Sequence, residues 1–134
     1  MQTFLPYPDF KKTAECLDWR RLGKQRIEAM QILRALDNRN YGWQNHPAVN
    51  MWRGFAGMLA VYHNTIIEEW ISRGYRNSMK IIVPDSALIS PSWLGNSDFH
   101  ASHRSNLLRK DPEHYAQFGW IESDNLPYVW FSGQ

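Results

Sequence analysis

The sequence predicts an all-α fold, a single compact helical domain over residues 1–134 with one long central helix. Three observations carry this prediction. Apolar residues recur every three or four positions in two long segments, the period of a helix that buries one face. Capping side chains or helix-opening prolines stand at the predicted starts. No stretch alternates apolar and polar residues well enough for a sheet, and Ile81-Ile82-Val83 is at most a marginal strand cut short by Pro84.

Taken in order, Pro6 and Pro8 hold the start of the chain extended. Asp9 caps a short helix reaching about Asp18, and Asp18 caps a second from Trp19 to Leu36. In the second, Leu22, Arg26, Ala29, Met30, Leu33 and Leu36 share one face. The tract DNRNYGW is a loop. His46-Pro47 opens the longest periodic segment, in which Ala48, Met51, Trp52, Phe55, Leu59, Tyr62, Ile66 and Trp70 recur until Gly74 stops it. Residues 75–97 read as irregular chain. Ser97 or Asp98 caps a helix through about Lys110, and Asp111-Pro112 starts a short last one. The aromatic tail WIESDNLPYVWF is expected to pack back on the body.

Composition narrows the class. With 43% hydrophobic and 14% aromatic residues the chain is too apolar to be disordered. No apolar run is long enough to span a bilayer, and no secretory signal is visible, so a cytoplasmic location is expected. The single cysteine, Cys16, excludes an internal disulfide and a cysteine-based zinc cage, and reads as a small core residue.

The net charge of +2 conceals two local clusters. Arg20, Arg21, Lys24 and Arg26 fall within one segment; Arg104, Arg109 and Lys110 fall in another, beside His100 and His103. Each cluster alone reads as a solvated helix face. Together, with Trp43 and Asn45 interleaved, they point to an anionic, nucleotide-like ligand held through phosphate. His46 either caps its helix or faces an anion site at the helix start. His63 reads as structural. His100 and His103, three apart, could share an ion, but no third ligand is evident, and neither metal nor cofactor is expected. Nucleophile-elbow, phosphate-loop and dinucleotide fingerprints are missing.

Several segments together resemble the pyrimidine-dimer DNA glycosylases of the phage endonuclease V type, in a divergent branch. They are FLPYPDF, LDWRRLGKQRIEAMQILRAL, GWQNHPAVNMWRG, IIEEWISRGY and HASHRSNLLRKDPEHYAQFGW. The resemblance implies an all-α fold whose N-terminal segment inserts between helices. It also implies cleavage of a glycosylic bond followed by strand nicking as a lyase, with an N-terminal amine as nucleophile and a glutamate on the first long helix in support. An α-amine suits this role because its ordinary pKa, near 8, leaves much of it neutral.

The chain departs from the pattern twice. Gln2 stands where the family exposes Thr after losing its initiator, so the amine belongs to Met1. Arg21 occupies the glutamate position, leaving Glu28, two turns further along a similar face, as the substitute. His46 matches the family histidine at the long-helix start, and Arg26 is read as the counterpart of an active-site arginine.

Two functions follow as expectations. One is a DNA-repair glycosylase, with lyase activity, acting on a damaged or modified pyrimidine through Met1, Glu28 and His46. Arg20, Arg21, Lys24, Arg26, Arg104 and Lys110 would hold phosphates, and Trp43, Asn45, His100, His103 and Tyr115 would complete the nucleotide contacts. The other is a non-catalytic module, phage-encoded in origin, that sequesters a nucleotide or nucleotide-derived signal in the same pocket.

Overall fold

The computed structural model describes residues 1–85 and 87–132. In chain order it has α1 (Phe10–Cys16), α2 (Trp19–Asp37), α3 (Pro47–Trp52), α4 (Ala56–Ser72), α5 (Ser97–Lys110) and α6 (Pro112–Tyr115), then a 3-10 turn over Ala116–Phe118. The described residues contain no strand, so Ile81–Val83 is irregular chain. None of the described helices is long and apolar enough to cross a membrane.

The caps largely follow the sequence reading. Asp9 accepts a bond from the Lys12 N–H at 3.0 Å, and Asp18 accepts from the Arg21 N–H at 3.4 Å. The α5 cap is Asn96, one residue earlier than expected; its side chain accepts from the Phe99 N–H at 3.0 Å.

The expected long helix from Pro47 to Gly74 is two helices. Gly54 takes a φ of +88°, in the left-handed region that glycine enters without strain. Arg53 before it is extended, and its guanidinium donates to the Gln44 carbonyl at 2.7 Å, which pins the break. The periodicity survives the break because both pieces bury one face against the same core. Ala48, Met51, Trp52, Leu59, Tyr62 and Ile66 are all buried.

α2 packs chiefly on α4. Gly23 permits part of this approach, since a Cβ there would lie 3.0 Å from the Trp70 ring. The larger core side chains are Trp52, Tyr62, Phe99 and Tyr115, none measurably exposed.

Residues Gln2–Pro6 run buried and without regular structure between the helices, as the resemblance implied. A buried segment without regular structure needs partners for its backbone polar groups, and side chains from three helices, α2, α4 and α5, supply them. The Phe4 N–H donates to Gln25 Oε1 at 3.0 Å, and the Tyr62 hydroxyl lies 2.7 Å from both the Phe4 carbonyl and that same oxygen. The Leu5 N–H donates to His103 Nδ1 at 2.9 Å, and the Leu5 carbonyl lies 2.7 Å from His100 Nδ1. Arg104 donates to the Pro6 carbonyl at 2.8 Å, and the Trp52 indole N–H donates to Thr3 Oγ1 at 3.0 Å. This arrangement fixes where the chain's first residue emerges.

Candidate functional site

One side of α2 carries Arg20, Arg21, Lys24, Gln25 and Glu28. These line a cleft of about 400 Å³ together with Met1, Gln2 and Phe4, with Lys110 at the end of α5, and with Tyr128 and Trp130 of the tail. The spacing explains the convergence, because positions three and four apart stack along one helical face.

Two α2 side chains hold Gln2 from either side. The Gln2 N–H donates to Glu28 Oε1 at 3.1 Å, and Gln25 Nε2 donates to the Gln2 carbonyl at 2.9 Å. Gln25 is buried, and its orientation is fixed because its oxygen already serves the Phe4 N–H and Tyr62. The Glu28 carboxylate is thereby held one residue from Met1.

The cations form the opposing field. Arg21 bridges to Asp18 at 3.2 Å. Burial works against the Asp18 carboxylate, but the Tyr115 hydrogen bond and Arg21 prevail and hold its pKa below the ordinary value. Lys110 has a lowered pKa, first through partial burial and then through repulsion by Arg21, Arg109 and Lys24, with Glu28 opposing. The crowded cations outnumber the nearby carboxylates of Asp18 and Glu28, which leaves the cleft attractive to phosphate.

His46 adjoins this cleft. Its Nδ1 accepts the Ala48 N–H at 3.0 Å, so it caps α3. Its ring stands edge-on to Trp130 at 6.3 Å and to Trp43 at 5.9 Å. Burial and then the N-terminal amine lower its pKa, and Glu28 opposes them. Trp43 is 55% exposed and takes a φ of +73°, a conformation strained for a bulky residue. Asn45 is exposed and lies in the loop beside His46, away from the cleft lining; its carbonyl accepts a weak bond from Asn50 at 3.5 Å.

Five further residues expected at the site lie elsewhere. Arg26 is turned to the α4 side, where it stacks over Trp70 at 4.3 Å and donates to Asn77 Oδ1 at 2.8 Å. His100 has both ring nitrogens engaged, at the Leu5 carbonyl and, as acceptor, at the Gly95 N–H 2.9 Å away. His103 is fully buried, and burial pushes its pKa down to about 3, so it is neutral. Arg104 makes a two-pronged bridge to Glu122 at 3.0 and 2.8 Å while also serving Pro6. Tyr115 is buried, with its hydroxyl bonded to Asp18 at the start of α2 and its ring stacked on Trp120. These five hold the fold. Arg109 also turns to the tail, donating to the Asp124 carbonyl at 3.1 Å.

The sequence reading missed Gln2, Phe4, Gln25, Tyr128 and Trp130. The α2 spacing signals Gln25, which lies between Lys24 and Glu28 on the charged side. The tail aromatics carry no local signal, because nothing near them specifies which surface they cover.

A family model described as pyrimidine dimer DNA glycosylase matches residues 1–83. The chain belongs to that family. Membership makes it a DNA-repair glycosylase at family level, with DNA as the implied substrate or partner. No curated protein and no solved structure matches the chain. Within this family member the matched region contains Met1, Glu28 and the α2 cations, whereas Lys110, Tyr128 and Trp130 lie beyond it. The cleft thus joins a family-matched half to a half that the match does not reach.

Proposed function

We propose that the protein is a DNA glycosylase with lyase activity, acting on a damaged or modified pyrimidine in the α2 cleft. The observation that carries this reading is the Gln2 N–H bond to Glu28 at 3.1 Å. It keeps a carboxylate beside the Met1 amine within a ring of cations. Glu28 then supplies the acid that Arg21 does not.

In this reading the neutral Met1 amine forms a bond to C1′ of the target nucleotide. The glycosylic bond breaks, and its electron pair leaves on the base, which takes up a proton. Opening of the sugar ring moves a second proton to its oxygen and gives an imine. Loss of a C2′ proton then expels the 3′ phosphate, and water releases the enzyme. Glu28 carries protons in these steps, and His46 is placed to assist. Arg20, Arg21, Lys24 and Lys110 hold the flanking phosphates, while Tyr128 and Trp130 offer stacking surface for a displaced base.

Borohydride trapping on abasic and ultraviolet-irradiated duplexes tests this directly. A covalent adduct at Met1 is expected, and acetylation of the amine abolishes it. Absence of an adduct, with cleavage unaffected by acetylation, overturns the mechanism. Stabilisation by free nucleotides but not by DNA would instead favour a sequestering module.

A further inference from the structure

A cavity of about 540 Å³ lies on the far side of α2 from the cleft. It sits between α2, α4 and the irregular segment 79–85, with walls that include Met30, Leu33, Ala60, Met79, Ile82 and Pro84. Its size falls in the range of small-molecule sites, roughly 300–1,000 Å³.

One polar side chain among these walls is almost fully buried. His63 lines the cavity and is 1% exposed. Its protonation is fixed by its neighbour. Asn64 Nδ2 donates to the Ile82 carbonyl at 2.7 Å, and Asn64 Oδ1 accepts the Ile82 N–H at 2.9 Å. The amide cannot be reversed without losing both bonds. The atom facing His63 Nδ1, 3.0 Å away, is therefore an acceptor, and Nδ1 carries the hydrogen. Burial lowers the His63 pKa and keeps the ring neutral, although the Asn64 bond opposes this. Nε2 is thus a bare acceptor, and it has no partner among the described residues. A buried acceptor left unpaired is uncommon and calls for an explanation.

We infer that this cavity is a second ligand site, for an uncharged, mostly apolar small molecule that donates one hydroxyl or N–H hydrogen to His63 Nε2. Charge is disfavoured on two grounds. The inner walls of Met30, Leu33, Ala60, Met79 and Ile82 offer an ion no polar side-chain partner. The charged residues of the lining, Arg34 and Lys80 against Asp37 and Asp85, cancel and select neither sign. The 79–85 segment acts as a strap, tied to α4 at Asn64–Ile82 and carrying no regular structure of its own. Nε2 is shielded from solvent, so the ligand displaces a neighbouring side chain to reach it.

Phenol and anisole provide the test on the full chain, because they share an apolar ring and differ in the donor. Binding is followed through the methyl resonances of Met30, Met79 and Ala60 and the ring nitrogens of His63. Phenol is expected to bind at least tenfold more tightly than anisole and to shift the Nε2 resonance. His63→Phe should erase that preference. Ala60→Leu, which fills the wall and leaves His63 in place, should abolish binding of both. Equal binding of phenol and anisole, no binding of either, or an unchanged preference in His63→Phe overturns the inference. None of these measurements involves DNA, so the result stands apart from that of borohydride trapping.

Discussion

The basic side chains of α2 and the basic and histidine side chains of α5 look alike as clusters, yet they do opposite work. On α2, Arg20, Lys24 and Glu28 face an open cleft together with Lys110. On α5, His100, His103 and Arg104 are spent on the backbone of Leu5 and Pro6 and on Glu122. A polar side chain whose bonding capacity is spent on internal partners is withdrawn from ligands; one that keeps unspent capacity facing a cleft, as Glu28 does beyond its bond to the Gln2 N–H, stays available. The difference lies in what each helix faces. α5 turns its histidines onto a buried, irregular segment whose N–H and C=O groups must be satisfied, while the charged side of α2 turns to the cleft.

The sharpest break in this comparison would come from the cleft. Glu28→Gln keeps an oxygen for the Gln2 N–H but removes the charge and the proton chemistry. Strand cleavage on an abasic duplex is expected to fall about 10²–10⁴-fold, with little change in the urea midpoint. Retained activity would end the role given to Glu28.

On the α5 side the effect should appear in folding. His103→Ala removes a buried ring and orphans the Leu5 N–H, so a loss of about 3 kcal/mol is expected in denaturant titration. A loss near zero would show that Leu5 finds another partner.

Acid should expose the same residue. The His103 pKa falls from 6.5 when unfolded to about 3 when folded. Between those values the unfolded chain binds more protons, so stability is fully present above pH 6.5 and drains away as pH falls toward 3. The slope approaches about 1.4 kcal/mol per pH unit for one proton. His100 and His63, also lowered by burial, steepen it. Urea titrations across this range should flatten in His103→Phe, provided that variant folds.

Tyr115→Phe removes the hydroxyl that joins α6 to Asp18, and about 1–2 kcal/mol of stability should go with it. DNA affinity at fixed salt should stay the same, since Tyr115 is buried away from the cleft. The smallest effect distinguishes the cations. Lys24→Gln or Lys110→Gln should reduce the log–log salt slope of DNA binding by about 0.9 per lost phosphate contact. Arg104→Gln should leave that slope unchanged while loosening the tail.

Much of the fold was legible in the residues because caps and periodicity act within a turn or two. Asp9 and Asp18 start their helices where their side chains predict, and Ala48 through Ile66 bury the expected face. The break at Gly54 was not legible, because a glycine inside an unbroken apolar pattern leaves the period intact while the backbone turns. The site divided along the same line. Spacing alone puts Arg20 with Lys24 on one helical face and Arg21 with Glu28 on a similar one, but that both pairs wall the same cleft was decided by the packing. Arg26, only two residues before Glu28, points to Trp70.

By itself, then, the sequence determined the helices, their capped starts and the charged side of α2, all of which are set by neighbours a few residues away. Only the tertiary structure decided that His103 serves Leu5, 98 positions distant, and that Tyr128 and Trp130 wall a cleft begun by Met1. The physical reason is that a polar side chain takes the partner that burial places beside it, and that partner is chosen by how the whole chain packs.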